Sequence, residues 1–121
     1  MGDKWKIFLY DLPSGNSPVR DFIESLEEKA RSKIYSSLEL LKEFGLLVGP
    51  PHVKKLVGTE LWELRILGQD SIRIFYVAIS GKTFLILHCF LKKKQKTDLR
   101  EIKVATERLK EHRNRKENRT Q

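Results

Sequence analysis

Hydrophobic and polar residues alternate along three consecutive runs between residues 61 and 91, and this alternation predicts three β-strands. The segments GQD and SGK separate the runs, and both are rich in residues that favour turns. Because successive side chains of a strand point to opposite faces of the sheet, each run divides into two sets. One set is apolar throughout and is predicted to face the core: Trp62, Leu64, Ile66, Ile72, Ile74, Tyr76, Leu85, Leu87 and Cys89.

The opposite set carries positive charge. It gathers Arg65, Arg73 and His88 together with Phe90, and Lys92 lies where the third run ends. We predict that this second face is open and that Phe90 is exposed on it. Cations beside an aromatic ring on an open sheet suit a nucleic-acid phosphate backbone and a base that stacks.

Residues 18–44 show the periodicity of an amphipathic helix, with one apolar stripe made by Phe22, Leu26, Ala30, Ile34, Leu38 and Leu41. Ser17 and Pro18 are a typical helix start, and Gly45 suits a helix end. The segment fits either one continuous helix or a helical hairpin that breaks near residues 27–30. In both cases the apolar stripe is expected to cover the apolar face of the sheet.

Two shorter patterns complete the fold. Residues 5–10 predict a further strand, and Thr97 is predicted to cap a last helix that ends near His112. We therefore predict an α+β fold, with an N-terminal helical hairpin packed on a small, mainly antiparallel sheet and followed by a C-terminal helix. Residues 1–112 are predicted to form a single domain, and residues 113–121 a basic, flexible tail.

Composition limits the class of protein. At 121 residues, 40% of them hydrophobic, the chain suits one domain with one core. It contains no apolar run of membrane-spanning length, and residues 1–10 lack the apolar region and cleavage site of a secretory signal. The single cysteine, Cys89, excludes an internal disulfide and is expected to be a packed thiol. These features predict a cytoplasmic protein with no membrane partner.

Positive charge is concentrated near the C-terminus. The formal net charge is +8, of which residues 1–91 carry +1 (12 basic, 11 acidic) and residues 92–121 carry +7 (12 basic, 5 acidic). This distribution predicts a polyanionic ligand, either nucleic acid or an acidic protein segment. The alternative is that the last residues form a solvated basic tail without a ligand.

No metal or cofactor site is predicted. The three histidines lie far apart, and the sequence has neither a zinc-binding spacing nor a nucleotide-binding glycine motif. A set of cations with one histidine can instead cleave RNA without a metal, because the cations offset the charge that develops when the ribose 2′-OH attacks its own phosphate. His88 is the candidate acid or base, since histidine titrates near neutral pH.

Each of these residues also has a structural interpretation. His88 is equally explained as a hydrogen-bonded histidine within the sheet, and Arg65 as the partner of a carboxylate, from Glu60, Glu63 or Asp70. The convergence of cations on one face favours polyanion binding, and it continues into Lys92, Lys93, Lys94 and Lys96.

Several short motifs together resemble the RelE/ParE superfamily, in its phage-derived HigB-like toxin branch. That branch has a lead-in PxxKxL, a core E-L-R, a following R-x-F-Y, then H-x-F-x-K-K with Q-K-T, and a closing helix with ExxxAxxR. The matching residues are Pro51, Lys54 and Leu56; Glu63, Leu64 and Arg65; Arg73, Phe75 and Tyr76; His88, Phe90, Lys92, Lys93, Gln95, Lys96 and Thr97; and Glu101, Ala105 and Arg108. The sequence departs from the branch at Lys94, where threonine is common, and at Asp98, where proline is common.

The resemblance implies a RelE-like fold and the toxin of a type II toxin–antitoxin system. It implies a metal-independent endoribonuclease that cleaves mRNA on the ribosome, needs no small-molecule cofactor and is silenced by a cognate helix-turn-helix antitoxin. Together with the charged face, it assigns catalysis to Arg65, Arg73, His88 and Lys92, and RNA binding to Lys54, Phe90, Lys93, Lys94 and Lys96. ParE members of the superfamily inhibit DNA gyrase, so the alternatives are a ParE-like gyrase inhibitor or a basic RNA-binding module without turnover.

Overall fold

The structure, a computed structural model that describes residues 4–68, 71–96 and 99–119, contains a five-stranded mixed sheet and three helices. The elements in chain order are β1 (Lys6–Leu9), α1 (Pro18–Glu24), α2 (Glu28–Phe44), a 3-10 turn (Gly45–Leu47), β2 (Val53–Lys55), β3 (Trp62–Arg65), β4 (Ile72–Ile79), β5 (Thr83–Leu91) and α3 (Leu99–Arg119). The strand order is β1-β5-β4-β3-β2; β1 runs parallel to β5, and the other neighbours are antiparallel. This architecture confirms the predicted α+β fold. No helix within the described residues is both long and apolar enough to cross a membrane.

The N-terminal helical segment is a hairpin and not one continuous helix. α1 begins at Pro18, where the hydroxyl of Ser17 accepts a hydrogen bond from the backbone N–H of Arg20 at 3.1 Å. The break lies at residues 25–27, slightly before the predicted position. Because the break resets the helical phase, the buried side consists of Val19, Ile23, Ala30, Ile34, Leu38 and Leu41, whereas Phe22 and Leu26 are only partly buried.

Gly45 ends α2, as predicted, and allows a close approach between the helix end and the sheet. Its φ is +57°, and a Cβ atom at this position would lie 2.6 Å from Cδ1 of Trp5. Trp5 in turn stacks on Phe84 of β5, with the ring centroids 4.3 Å apart. Glycine therefore supplies both the backbone conformation and the space that this packing needs.

A bulge in the β4–β5 pairing changes which residues of β5 share a face. Phe75 pairs with His88, but the next residue of β4 pairs with Ile86, which leaves Leu87 as an extra residue in β5. Beyond the bulge the alternation is inverted, so Ile86 lies on the core face and Leu85 on the opposite face. The structure thus changes the predicted sheet face of Leu85, whereas its predicted burial in the core is confirmed, since Leu85 is 0% exposed.

α3 covers part of the second sheet face, which corrects the prediction of an open face. The helix packs on β5 and β4 and buries Ala105 and Leu109. Nη1 of Arg108 donates a hydrogen bond to the backbone carbonyl of Leu87 at 2.8 Å. Phe90, predicted to be exposed, is only 4% exposed. The physical reason is that the apolar stripe of α3 needs a surface against which to bury, and this face provides it.

α3 (Leu99–Arg119) also continues beyond its predicted end near His112. Its predicted cap, Thr97, lies outside the described residues. Arg113 makes a bidentate ion pair with Glu60, with nitrogen–oxygen distances of 2.9 and 2.7 Å. This ion pair connects the helix to the loop before β3. The helix end is therefore corrected, whereas the division of the chain into a domain and a tail stays a prediction.

Candidate functional site

Two rows of side chains cross the second sheet face and bring predicted site residues together. Residues that pair directly across two strands point to the same face of a sheet. The first row, from β2 to β5, consists of Lys54, Glu63, Phe75 and His88, and the second, from β3 to β5, consists of Arg65, Arg73 and Phe90. Lys92 follows the end of β5, just beyond the second row.

Four cations and one carboxylate lie together on this face. We call Lys54, Arg65, Arg73 and Lys92 the cationic cluster. Nζ of Lys54 lies 3.6 Å from Oε1 of Glu63. Burial lowers the pKa of the Lys92 ammonium, Glu63 opposes this change, and the other three cations lower that pKa further. The other four groups therefore lie close enough to Lys92 to affect its pKa.

Arg65 and Arg73 lie directly opposite each other on β3 and β4. Like charges in this position destabilise a pair of strands. Arg65 is exposed, whereas Arg73 is only 8% exposed and donates a hydrogen bond from Nη1 to the carbonyl of Ile72 at 3.0 Å. Guanidinium groups are well suited to binding phosphate through paired N–H donors. The cross-strand pair therefore has the chemistry of a phosphate site.

Two surface openings flank the cationic cluster. One is lined by residues 50–53 with Lys54, Glu63 and Arg65. The other is lined by residues 90–94, Lys96, Arg100 and Glu101. The lysines predicted to bind RNA beyond β5 are exposed: Lys93, Lys94 and Lys96. In the ranges that the structure describes, no three His, Cys, Asp or Glu side chains lie close enough to hold a metal ion.

His88 bridges β5 and α3 and has a partner on each ring nitrogen. Nη1 of Arg108 lies 3.3 Å from Nδ1, and Oε1 of Glu101 lies 2.9 Å from Nε2. Because a guanidinium only donates, Nδ1 accepts, and Nε2 carries the proton and donates to Glu101. Burial lowers the pKa of His88, the hydrogen bond with Glu101 opposes this change, and the charge of Arg108 adds to it. These partners favour the structural interpretation of His88, and its role as an acid or base stays a prediction.

Phe90 packs inside the protein. Its ring stacks on that of His88, with centroids 5.1 Å apart and planes 19° apart, and it lies 4.8 Å from the ring of Phe75. One face of the Phe90 ring is thus already occupied by a side chain. Its predicted role as a platform for a nucleic-acid base stays untested, and its burial does not favour that role.

Sequence reasoning missed the central position of Glu63. The alternation places Glu63 on the same face as Arg65. From the sequence alone, however, Glu63 is only one of three possible salt-bridge partners of Arg65. In the structure Glu63 is 2% exposed and lies among the cations, whereas Glu60 pairs with Arg113. Asp70 lies outside the described residues. The sequence did contain a signal for this position: Glu63 is the carboxylate that shares a strand face with Arg65.

The sequence matches a known protein family. The model of the family described as phage derived protein Gp49-like matches residues 21–110, which are 90 of the 121 residues. This family is RelE-like and often occurs in toxin–antitoxin systems. The matched segment contains every residue of the cationic cluster. No curated protein matches the sequence. Membership of the HigB-like branch stays a prediction.

We predict that His88 makes folding stability depend on pH. Its pKa is lowered in the folded state, so the unfolded chain binds this proton more readily. The contribution of His88 to the free energy of unfolding is fully present above a pH of about 6.5, the ordinary pKa of histidine. This contribution is lost as the pH falls through the pKa of His88 in the folded state. We expect His88→Gln to weaken this dependence in urea unfolding curves measured between pH values of about 5 and 8.

His112 provides the matched control for this measurement. Its pKa is also lowered, first by burial and then by Arg115 and Lys116. His112→Gln should remove a second, separate part of the same dependence. A His88→Gln protein with the full pH dependence of the parent would show that His88 binds its proton equally well in both states.

Proposed function

Because the chain belongs to the phage-derived Gp49-like family, we propose that it is the toxin of a type II toxin–antitoxin pair and an endoribonuclease. Its proposed substrate is mRNA on the translating ribosome, and its place of action is therefore the cytoplasm. The observation that carries the proposal is the cross-strand pair of Arg65 and Arg73, with Lys54 and Lys92 beside it. Such fixed cations favour a ligand with closely spaced negative charges.

The cationic cluster supports a cleavage reaction that uses the hydroxyl group of the RNA itself. The ribose 2′-hydroxyl loses its proton to solvent water as its oxygen attacks the neighbouring phosphorus. The P–O5′ bond breaks and the leaving 5′-oxygen takes up a proton, so the products carry a 2′,3′-cyclic phosphate and a 5′-hydroxyl. The phosphorane that forms carries more negative charge than the phosphodiester. Cations held in place beforehand therefore stabilise the transition state more than the substrate, and removal of one such group typically costs about 10²–10³-fold in rate.

We assign separate roles to the four cations. Arg65, Arg73 and Lys54 bind the phosphate, since they lie on neighbouring strands of one sheet face. Lys92 is half-buried, and its lowered pKa makes its ammonium a better proton donor than a free lysine. We therefore assign Lys92 to stabilisation of the phosphorane and to protonation of the leaving 5′-oxygen.

The exposed lysines after β5 extend the positive surface away from the cluster. Lys93, Lys94 and Lys96 are assigned to the phosphates that flank the cleaved bond, where they add affinity through the release of counterions. The same surface complements an acidic segment. We therefore propose that the cognate antitoxin, a helix-turn-helix protein, silences the toxin by laying such a segment over these lysines.

Induced expression of the chain in a bacterial host tests the proposal. We expect rapid arrest of translation and truncated mRNAs, and we expect co-expression of the neighbouring helix-turn-helix protein to prevent both. DNA damage signalling with intact mRNA would instead indicate inhibition of gyrase. Stable association with ribosomes without any truncated mRNA would indicate an RNA-binding module without turnover.

Arg65 tests the phosphate-binding assignment. Because its side chain is exposed, we expect Arg65→Gln to keep the stability of the parent protein. We expect the variant to bind ribosomes more weakly, with a salt dependence of log affinity that is less steep by roughly one unit. Arg20→Gln, which changes an exposed arginine on α1, is the matched control and should keep the salt dependence. The same slope in both variants would remove Arg65 from the site.

Lys92 and His88 separate the two assignments of proton transfer. We expect Lys92→Gln to lower the cleavage rate by about 10²-fold or more, because charge stabilisation at the phosphorane is lost. We expect His88→Gln to cleave within roughly tenfold of the parent, since general acid–base catalysis would be worth about 10²–10⁴-fold and His88 is bonded within the protein.

Primer extension on mRNA that has been incubated with programmed ribosomes measures both rates. Thermal denaturation of each variant establishes that it is folded at the assay temperature. A folded His88→Gln protein that binds ribosomes normally but has lost cleavage would restore His88 as the acid or base.

A further inference from the structure

The carboxylate of Glu63 occupies an unusual position beneath the cationic cluster. Its side chain is 2% exposed, and Oε1 lies 3.6 Å from Nζ of Lys54, a lysine that is itself 54% exposed. Oε2 is buried and accepts no hydrogen bond from any residue that the structure describes. A buried carboxylate oxygen that lacks a hydrogen-bond donor destabilises the folded state. Hydrogen bonding alone therefore does not explain a carboxylate at this position.

The electrostatic surroundings of Glu63 explain this position better. Its neighbours across the strands are Lys54 on β2 and Phe75 on β4, and Arg65 follows two residues later on its own strand. Four cations gathered on one sheet face repel one another, and this repulsion is stronger where the site is partly buried. A single fixed negative charge among them reduces that repulsion without occupying the exposed side of the cluster.

We propose that Glu63 is a positioning residue, the built-in counter-ion that holds the four cations of the cluster around one phosphate site. This inference rests on the proposed ribonuclease function. Glu63 does not contact the RNA in this arrangement. It acts through Lys54 and Lys92, whose ammonium groups it keeps in place before the substrate arrives.

The charges that surround Lys92 support this role. Burial lowers the pKa of Lys92, Glu63 raises it, and Arg73, Lys54 and Arg65 lower it again. From the helix and the segment after β5, the groups facing the same opening are Lys93, Lys94, Lys96, Arg100 and Glu101. Loss of the Glu63 charge should therefore lower the pKa of Lys92 further, whereas loss of the Lys54 charge should raise it.

Removal of the Glu63 charge should change binding and cleavage in opposite directions. Glu63→Gln adds one unit of positive charge to the site and keeps the size of the side chain. At pH 6.5 we expect RNA binding to tighten by roughly fivefold. At alkaline pH we expect cleavage to fall earlier than in the parent, because Lys92 loses its proton at a lower pH. A residue with a merely structural role would weaken both properties together.

The test uses the full chain and four variants: Glu63→Gln, Glu63→Asp, Lys54→Gln and Lys92→Arg. Nitrogen-detected NMR titration of the lysine ammonium groups measures the pKa of Lys92 without RNA, and the signal missing in Lys92→Arg identifies it. Binding is measured with ribosomes programmed with mRNA that is 2′-O-methylated and so resists cleavage. Cleavage is measured as a function of pH on unmodified mRNA.

We expect Glu63→Gln to lower the pKa of Lys92, to shift the alkaline limb of the cleavage profile to lower pH and to bind more tightly at pH 6.5. Lys54→Gln should raise the same pKa, and Glu63→Asp should preserve most of the parent behaviour. If Glu63→Gln proves unfolded, Glu63→Asp takes its place and should lower the pKa of Lys92 slightly, because its carboxylate is one methylene further away.

The proposal would be overturned if the pKa of Lys92 stayed constant in Glu63→Gln and in Glu63→Asp but changed in Lys54→Gln. Weaker binding and slower cleavage of Glu63→Gln at every pH would do the same. Failure of the proposed function looks different: the parent chain would cleave no mRNA on ribosomes, yet the NMR titration would still report whether Glu63 controls Lys92.

Discussion

The contact between α3 and β5 determines how the second sheet face is used. α3 buries Ala105 and Leu109, and a hydrogen bond from Arg108 to the Leu87 carbonyl fixes the helix to the strand at the bulge. The helix covers the β5 side of the face, where His88 and Phe90 lie. The side made by β2 and β3 carries the exposed residues Lys54 and Arg65. One packing contact thus divides the two rows of side chains on this face into a structural part and a part that is available to a ligand.

The covered part shows why a histidine suits this position. The ring of His88 accepts a hydrogen bond from Arg108 at one nitrogen and donates a hydrogen bond to Glu101 at the other. His88 thus connects two oppositely charged side chains of α3 to the sheet. Only the neutral ring can do both, because a protonated ring has no acceptor. The lowered pKa of His88 is consistent with this geometry. A group that must remain neutral to hold a helix in place is poorly suited to gain and lose a proton during turnover.

Local patterns predicted much of this structure, and non-local packing supplied the rest. The apolar stripe, Ser17 and the alternating runs predicted the N-terminal helical segment and three strands, because each depends on neighbouring residues only. These patterns fitted one continuous helix as well as a hairpin. The same alternation placed Arg65 and Arg73 on one face, and their pairing in the structure agrees. The bulge at Leu87 and the cover provided by α3 depend on strand register and on a third layer, which no local pattern encodes. The burial of Phe90 follows from that cover, and the central position of Glu63 follows from the pairing of β2 with β3.

The cationic cluster also links folding to ligand binding. Folding places Arg65 opposite Arg73 and brings Lys54 and Lys92 near them, whereas the unfolded chain keeps these charges apart. Any anion that binds this site in the folded state only must therefore stabilise the fold by mass action. RNA phosphate and an acidic protein segment are two ligand classes that carry the required charge. A ligand that occupies the cluster therefore stabilises the fold and excludes a second anion through a single set of contacts.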